Sequence, residues 1–179
     1  LICPNLIDYI YRSTPRTKLG GKIYTATEYA ANKIIPFHNE NSYTKHWPEK
    51  ILFFCALVAS EGGGTPIVDS RRVYNKIDTY VREKFEKKGI LYVRNYNVGI
   101  DLSWQEVFQT SLKEEVNRYC EENNIFYEWN NAGPELTTKQ VSQASIIHSK
   151  TAEKVWFNQA HLFHLSALTQ SDRETLIST

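Results

Sequence analysis

The chain has 179 residues, 41% hydrophobic and 23% charged, a length that supports one domain with a real core and does not call for a second. Its 21 basic and 20 acidic side chains leave a formal charge of +1 with no long block of either sign. That balance argues against a nucleic-acid or membrane-surface footprint, so the expected partner is a small molecule or another protein.

No apolar run reaches the roughly 18 residues that span a bilayer, and no basic n-region opens a signal peptide. Cys3, Cys55 and Cys120 are an odd number at wide spacing, read as reduced, buried thiols of a cytoplasmic protein. Methionine is absent even from position 1, which gives the expectation that the true start lies upstream.

Taken in order, residues 1–11 place Leu6, Ile7, Ile10 and Tyr11 at helix-like spacing. Residues 12–17 and Gly20-Gly21 are too rich in turn formers to be helical. The β-branched and aromatic content of 22–29 and of 34–40 predicts two strands. Trp47-Pro48 leads into the apolar run 51–59, expected to be a buried strand. Gly62-Gly63-Gly64 then break the pattern with positive φ and deliver Thr65 to the start of the next strand.

After Asp69 the period changes. Val73, Ile77, Tyr80, Val81 and Phe85 recur at steps of three and four, predicting one amphipathic helix that ends before Gly89, with Asp69 or Ser70 as N-cap. A strand over 90–96 follows, its Arg94 read as satisfying the core. Helices are expected over 104–110 and 112–123. The second carries Val116, Tyr119 and Cys120 on one face, behind a Ser111–Glu114 capping box. Short strands over 125–129, 136–140, 144–148 and 154–158 have the all-β rhythm of a sandwich or jelly roll, and residues 148–153 form a hairpin connection. A last helix holds 168–177.

The chemistry is concentrated in Pro36-Phe37-His38-Asn39-Glu40-Asn41-Ser42-Tyr43. Residues i and i+2 of a strand share a face, so His38 and Glu40 can converge on one point. An imidazole with a carboxylate is two thirds of the 2-His-1-carboxylate arrangement that holds non-haem Fe(II). The bland alternative is a polar edge-strand face. Arg12 and Arg16 read equally as solvated loop charges or as planar forks for a substrate carboxylate. Asn39 and Ser42 could touch substrate, although hydrogen bonds that stabilise a turn are their more ordinary work.

Several stretches together carry a family resemblance. They are Arg12-Ser13-Thr14-Pro15-Arg16-Thr17, Ile23-Tyr24-Thr25, His38-Asn39-Glu40 with Ser42-Tyr43, Gly62-Gly63 with Thr65-Pro66, Asp69-Ser70-Arg71, Tyr92-Val93-Arg94-Asn95-Tyr96, Trp104-Gln105, Phe108-Gln109-Thr110 and Val155-Trp156-Phe157-Asn158-Gln159-Ala160-His161. The chain resembles the TauD/TfdA, clavaminate-synthase-like dioxygenases, nearest to the SyrP-like branch of natural-product biosynthesis. The resemblance implies a double-stranded β-helix, or jelly roll, mainly β with flanking helices and incomplete at both ends. It implies Fe(II), 2-oxoglutarate as cosubstrate and O2, with His38 and Glu40 as the first two metal ligands and Thr65 helping to hold the 2-oxoglutarate carboxylate. The implied reaction is hydroxylation or desaturation at an unactivated C–H bond of an amino-acid-like substrate, free or tethered to a carrier protein. Two departures stand out: Gly64 where relatives carry an acidic residue, and Ser149 and Ala152 where the turn usually carries Pro and Gly.

The family's distal His, followed some ten residues later by an Arg that pairs with the keto acid, has no matching segment here. His161 with Arg173 imitates the spacing and is the alternative distal ligand and keto-acid clamp. The preferred expectation is a single-domain fragment that stops before both residues, binds iron and 2-oxoglutarate poorly, turns over no substrate by itself and exposes apolar strand faces. The rival reading is a non-catalytic β-sandwich binding module.

Overall fold

The elements of the computed structural model begin with β1 (Lys18–Gly20), β2 (Ile23–Tyr24), α1 (Ser70–Lys76), α2 (Thr79–Lys88) and β3 (Ile90–Asn95). They continue with α3 (Trp104–Phe108), α4 (Lys113–Glu122), β4 (Phe126–Trp129), β5 (Leu136–Ser142), β6 (Ser145–Ile147), β7 (Lys154–Trp156), α5 (Ala160–Phe163), a 3₁₀ turn at Leu165–Ala167, and α6 (Gln170–Ser178). The structure describes residues 5–30, 34–96, 102–130 and 135–178, the side chains of 175–178 excepted. The packing divides into two units, one from the described parts of Leu1–Ile35, Leu91–Val141 and Ala160–Thr179, the other from Pro36–Ile90 and Ser142–Gln159.

The first unit is built on a sheet of order β3-β5-β4, with α4 packed against β4. Strict alternation puts Ile90, Tyr92 and Arg94 inside and Leu91, Val93 and Asn95 outside, as a half-buried strand requires. Val116 and Cys120 of α4 bury on the expected face beside Val107 and Phe108. Within this core the Tyr11 and Tyr96 hydroxyls both meet Thr138 Oγ1 at 3.2 Å. Arg94, only 3% exposed, lies over the rings of Tyr11 and Tyr96, so its structural reading holds. A separate antiparallel pair, β1-β2, turns at Gly21, whose φ of +52° suits glycine.

In the second unit β6 and β7 form the hairpin expected from the turn signals, and α1 packs on β7. Phe85 of α2 stacks on Trp156 with ring centroids 5.4 Å apart. These sheets with flanking helices agree with the clavaminate-synthase-like jelly roll, and among the described residues they do not close into a barrel.

Several local expectations fail for identifiable reasons. Residues 5–11 are irregular: Tyr11 sits at φ +55°, and Tyr9 and Tyr11 are the side chains that bury, leaving Leu6, Ile7 and Ile10 exposed. The strand expected over 22–29 stops at Tyr24, because the chain folds back through Thr25 N–H to the Thr17 carbonyl and Glu28 N–H to the Pro15 carbonyl. The single helix after Asp69 is two. Asp78 accepts from the Tyr80 and Val81 amides and so starts a second helix where Ile77 has turned extended. Ser111 does not cap α4; its N-cap, Leu112, contributes no side-chain bond, while the capping box belongs to Ser103 and Glu106 at α3.

Residues 34–40 and 51–59 form no strand, nor does the stretch from Thr65 to Asp69. The apolar run from Ile51 is exposed rather than buried, with Phe54 92% and Leu57 89% open. Composition supplied the propensity for a strand there, but no described strand offers its edge. Cys55 is accordingly exposed, whereas Cys120 is buried; Cys3 lies outside the described residues.

Candidate metal centre

His38 and Glu40 do converge, although not as strand neighbours. Nε2 of His38 stands 3.7 Å from Oε2 of Glu40, with 28% and 15% of the two side chains exposed. After His38 the chain turns: Ser42 N–H donates to the Asn39 carbonyl and Thr44 N–H to that of Asn41. Asn41 takes the left-handed conformation at φ +53°, which asparagine tolerates better than most residues. The turn, rather than a pleat, brings the two side chains together.

The ring orientation has a local cause. His38 Nδ1 lies 2.8 Å from the Pro36 carbonyl oxygen, which can only accept, so Nδ1 carries the hydrogen. In the neutral ring the lone pair is then on Nε2, the nitrogen facing Glu40. Two acceptors face each other across 3.7 Å, and a cation between them reconciles the pair. A proton on Nε2 makes it an ion pair; a metal ion makes it a chelate, since two bonds of about 2.1 Å span up to about 4.2 Å. A carbonyl bond that fixes the tautomer is the usual support for a metal-ligating histidine. On donor type and ring orientation these two residues fit Fe(II).

The peptide between them is clamped. Asn39 Nδ2 donates to the Trp156 carbonyl at 3.0 Å, its Oδ1 accepts from Ser70 Oγ at 3.2 Å, and its carbonyl accepts from Gln159 Nε2 at 2.6 Å and Ser42 Oγ at 3.0 Å. β7, the segment after it and the start of α1 thus hold one residue. Asn39 and the fully buried Ser42 make the hydrogen bonds that build the turn. Sequence reasoning read Ser70 only as a candidate helix cap and gave Gln159 no role, although both lie in stretches that carry the resemblance.

Thr65 is exposed in an irregular stretch, with no described contact to His38 or Glu40. The preceding turn does use its glycines: Gly62 and Gly63 have φ +70° and +77°, and a Cβ on Gly63 would meet that of Ala59 at 2.9 Å. His161 is exposed on α5, and Arg173 donates Nε to the Leu165 carbonyl and Nη2 to that of Leu168, ending the 3₁₀ turn. Among the described residues no three His, Cys, Asp or Glu side chains group to hold a metal.

Arg12 and Arg16 line a cavity of about 310 Å³ in the first unit, with Pro15, Thr17, Glu28, Leu102, Glu106 and Gln109. Arg12 Nη1 donates to the Arg16 carbonyl at 2.8 Å, and Arg16 Nη2 to Thr27 Oγ1 at 3.2 Å. Hydroxyl bonds, from Thr17 and Thr25 to Glu28 and from Ser103 to Glu106, hold both carboxyls below the usual range.

The family model described as "Taurine catabolism dioxygenase TauD, TfdA family" matches residues 5–179. The chain belongs to this family of dioxygenases, which use Fe(II), 2-oxoglutarate and O2. It is 43% identical over 173 residues to the dapdiamide synthesis protein DdaC of Enterobacter agglomerans, covering 97% of this chain and 52% of that protein. With the clavaminate synthase-like protein At3g21360 of Arabidopsis thaliana it shares 30% identity over 161 residues, covering 85% of this chain and 49% of that protein. The chain thus spans about half the length of the curated relatives it matches. Among the described residues no helix is long and apolar enough to cross a membrane.

Proposed function

We propose that these residues supply part of the iron site of a cytoplasmic Fe(II)- and 2-oxoglutarate-dependent dioxygenase that hydroxylates an unactivated C–H bond of an amino-acid-like substrate. The observation that carries this reading is the 3.7 Å approach of His38 Nε2 to Glu40 Oε2 with Nδ1 committed to the Pro36 carbonyl. Similarity to a dapdiamide synthesis protein supports a place in small-molecule biosynthesis.

His38 and Glu40 would hold the metal, and Thr65 would contribute a hydroxyl to the keto acid's carboxylate. Held there, Fe(II) with 2-oxoglutarate and O2 would supply the oxidising chemistry, with succinate and carbon dioxide as the coproducts of hydroxylation. The chain's own work is orientation: Pro36 sets the histidine tautomer, and the Asn39 clamp fixes the peptide between the two donors so that little reorganisation accompanies binding. A carboxylate ligand favours hydroxylation or desaturation over halogenation, since halogenating relatives lack it.

The test is succinate formation from 2-oxoglutarate by the full-length protein with Fe(II) and ascorbate. Turnover is expected to fall at least about a hundredfold in His38→Ala and in Glu40→Ala, as loss of a ligand should cost at least as much as the 10–100-fold of an outer-shell partner. A second reading, a non-catalytic module, draws on the lack of a three-residue metal group among the described side chains. Full-length protein that forms no succinate above the metal-free control would favour it.

A further inference from the structure

The Glu40 carboxylate is placed through the peptide that precedes it. The carbonyl of Asn39 and the N–H of Glu40 lie in one plane, so whatever holds that oxygen also fixes the direction in which the chain enters Glu40. His38 has its own support in the Pro36 carbonyl. Glu40 meets His38 Nε2 at 3.7 Å, and its support is the bonding of the Asn39 oxygen.

The side chains that donate to that oxygen differ in kind. Ser42 Oγ, at 3.0 Å, belongs to the turn and moves with it. Gln159 Nε2, at 2.6 Å, comes from the segment after β7, 120 residues away. That segment has its own anchor, since Phe157 N–H and Asn158 Nδ2 both donate to the Ala144 carbonyl, at 3.0 and 2.7 Å, beside the start of β6. The Asn39 side chain is tied to the same frame through the Trp156 carbonyl, but a rotatable Cα–C bond separates that tie from the oxygen. Gln159 thus holds the peptide itself to a frame outside the turn. A glutamine only 3% exposed also calls for a reason, because an apolar side chain of similar volume would fill the space with no amide to satisfy.

We infer that Gln159 is a positioning residue of the metal site: by holding the Asn39 oxygen it sets where the Glu40 carboxylate stands relative to Nε2 of His38. A loosened Glu40 has to be ordered when the ion arrives, which lowers affinity and alters the geometry around the ion. The consequence for metal rests on the proposed function; the hold on Glu40 does not. Gln143 offers a comparison within the molecule. Its Nε2 donates to the Ser42 carbonyl at 3.1 Å, bracing the same turn beyond Glu40.

The experiment compares full-length wild type with Gln159→Leu, Gln159→Asn and Gln143→Leu. Asparagine keeps the amide but stops one methylene short of the oxygen. Measured are anaerobic Fe(II) affinity, the visible spectrum of the Co(II) form and, in metal-free protein, the nitrogen-15 order parameter of the Glu40 amide. Both Gln159 variants should fold, because Ser42 still donates to the Asn39 oxygen. They are expected to bind Fe(II) at least about tenfold more weakly, to shift the Co(II) bands, and to drop the Glu40 order parameter below the about 0.85 of rigid backbone. Gln143→Leu loses a bond of the same kind and should keep both its Fe(II) affinity and its Glu40 order parameter. Gln159 variants that bind metal and order Glu40 as wild type does, or a Gln143→Leu protein that loses as much affinity as they do, would overturn the inference. Wild type that binds no Fe(II) while Gln159→Leu still loosens Glu40 would sink the iron reading and leave the hold on Glu40 standing. Metal binding by wild type with no change in the Gln159 variants would do the reverse.

Discussion

A carbonyl two residues upstream decides which nitrogen His38 presents, and a left-handed asparagine decides where Glu40 meets it. Single backbone conformations also set local stability here. Ala152 occupies φ +56° in the turn between β6 and β7, where its N–H donates to the His148 carbonyl and the Glu153 carbonyl accepts from His148 N–H. A Cβ in the left-handed region costs about 1–2 kcal/mol, of which glycine's unfolded-state entropy takes back about 0.4–1. Ala152→Gly should therefore raise stability by about 0.5–1 kcal/mol in a denaturant titration with an unchanged m-value. A loss of similar size would show that the turn is unstrained.

Between elements, Glu86 of α2 is the hub of the second unit. It accepts from Tyr74 of α1 at 2.9 Å, Ser145 of β6 at 2.7 Å and Lys154 of β7 at 3.0 Å. The Ser145 bond, then Lys154 and Tyr74, hold its carboxyl below the usual 4.5 against the opposing effect of burial. A depressed folded-state value contributes stability that is full above about pH 4.5 and is lost as pH falls through the lowered value. Glu86→Gln should flatten the acid limb of a stability-versus-pH curve; an unchanged limb would assign that dependence to other carboxylates.

The same scale shows what the sequence could tell. Strands β3 and β5 and the buried face of α4 were legible because alternation or helical period coincided with burial against a neighbour. Residues 34–40 and 51–59 had the composition of strands without a partner edge, and edges are a property of the whole sheet. The break at Ile77-Asp78 was visible in principle, since Asp78 is itself a good N-cap lying in the middle of an apolar period. At the site, the His-x-Glu spacing pointed to two side chains that do converge, but through a turn rather than a strand. The bonds of Ser70 and Gln159 to Asn39 were not legible because a hydrogen bond across 31 or 120 residues leaves no local pattern.

For the whole molecule the outstanding feature is the apolar stretch around Phe53, Phe54, Leu57 and Val58, all exposed. A contiguous exposed patch of this kind marks an interaction surface or an association hazard. The 179-residue chain should bind a hydrophobic dye and self-associate with rising concentration. Phe54→Ser with Leu57→Ser should reduce both while shifting stability by no more than about 0.5 kcal/mol each, as surface changes do. A larger loss would mean that the stretch packs in solution. Thiol labelling reports on the same question: Cys55 is exposed, whereas burial pushes the Cys120 thiol up to about 12. Peptide mapping after brief alkylation of native protein should find Cys55 modified and Cys120 spared, and equal labelling would contradict the described core.

The central claim is that His38 and Glu40 share one metal ion. It is tested most directly by equilibrium binding of Fe(II), under anaerobic conditions, to full-length wild-type protein, His38→Ala, Glu40→Ala and the double variant. If the ion bridges both side chains, each single change should weaken binding at least about tenfold, and the double variant should lose little beyond either, because neither donor holds the site without the other. Wild-type affinity retained in either single variant, or losses that simply add in the double, would contradict a shared metal.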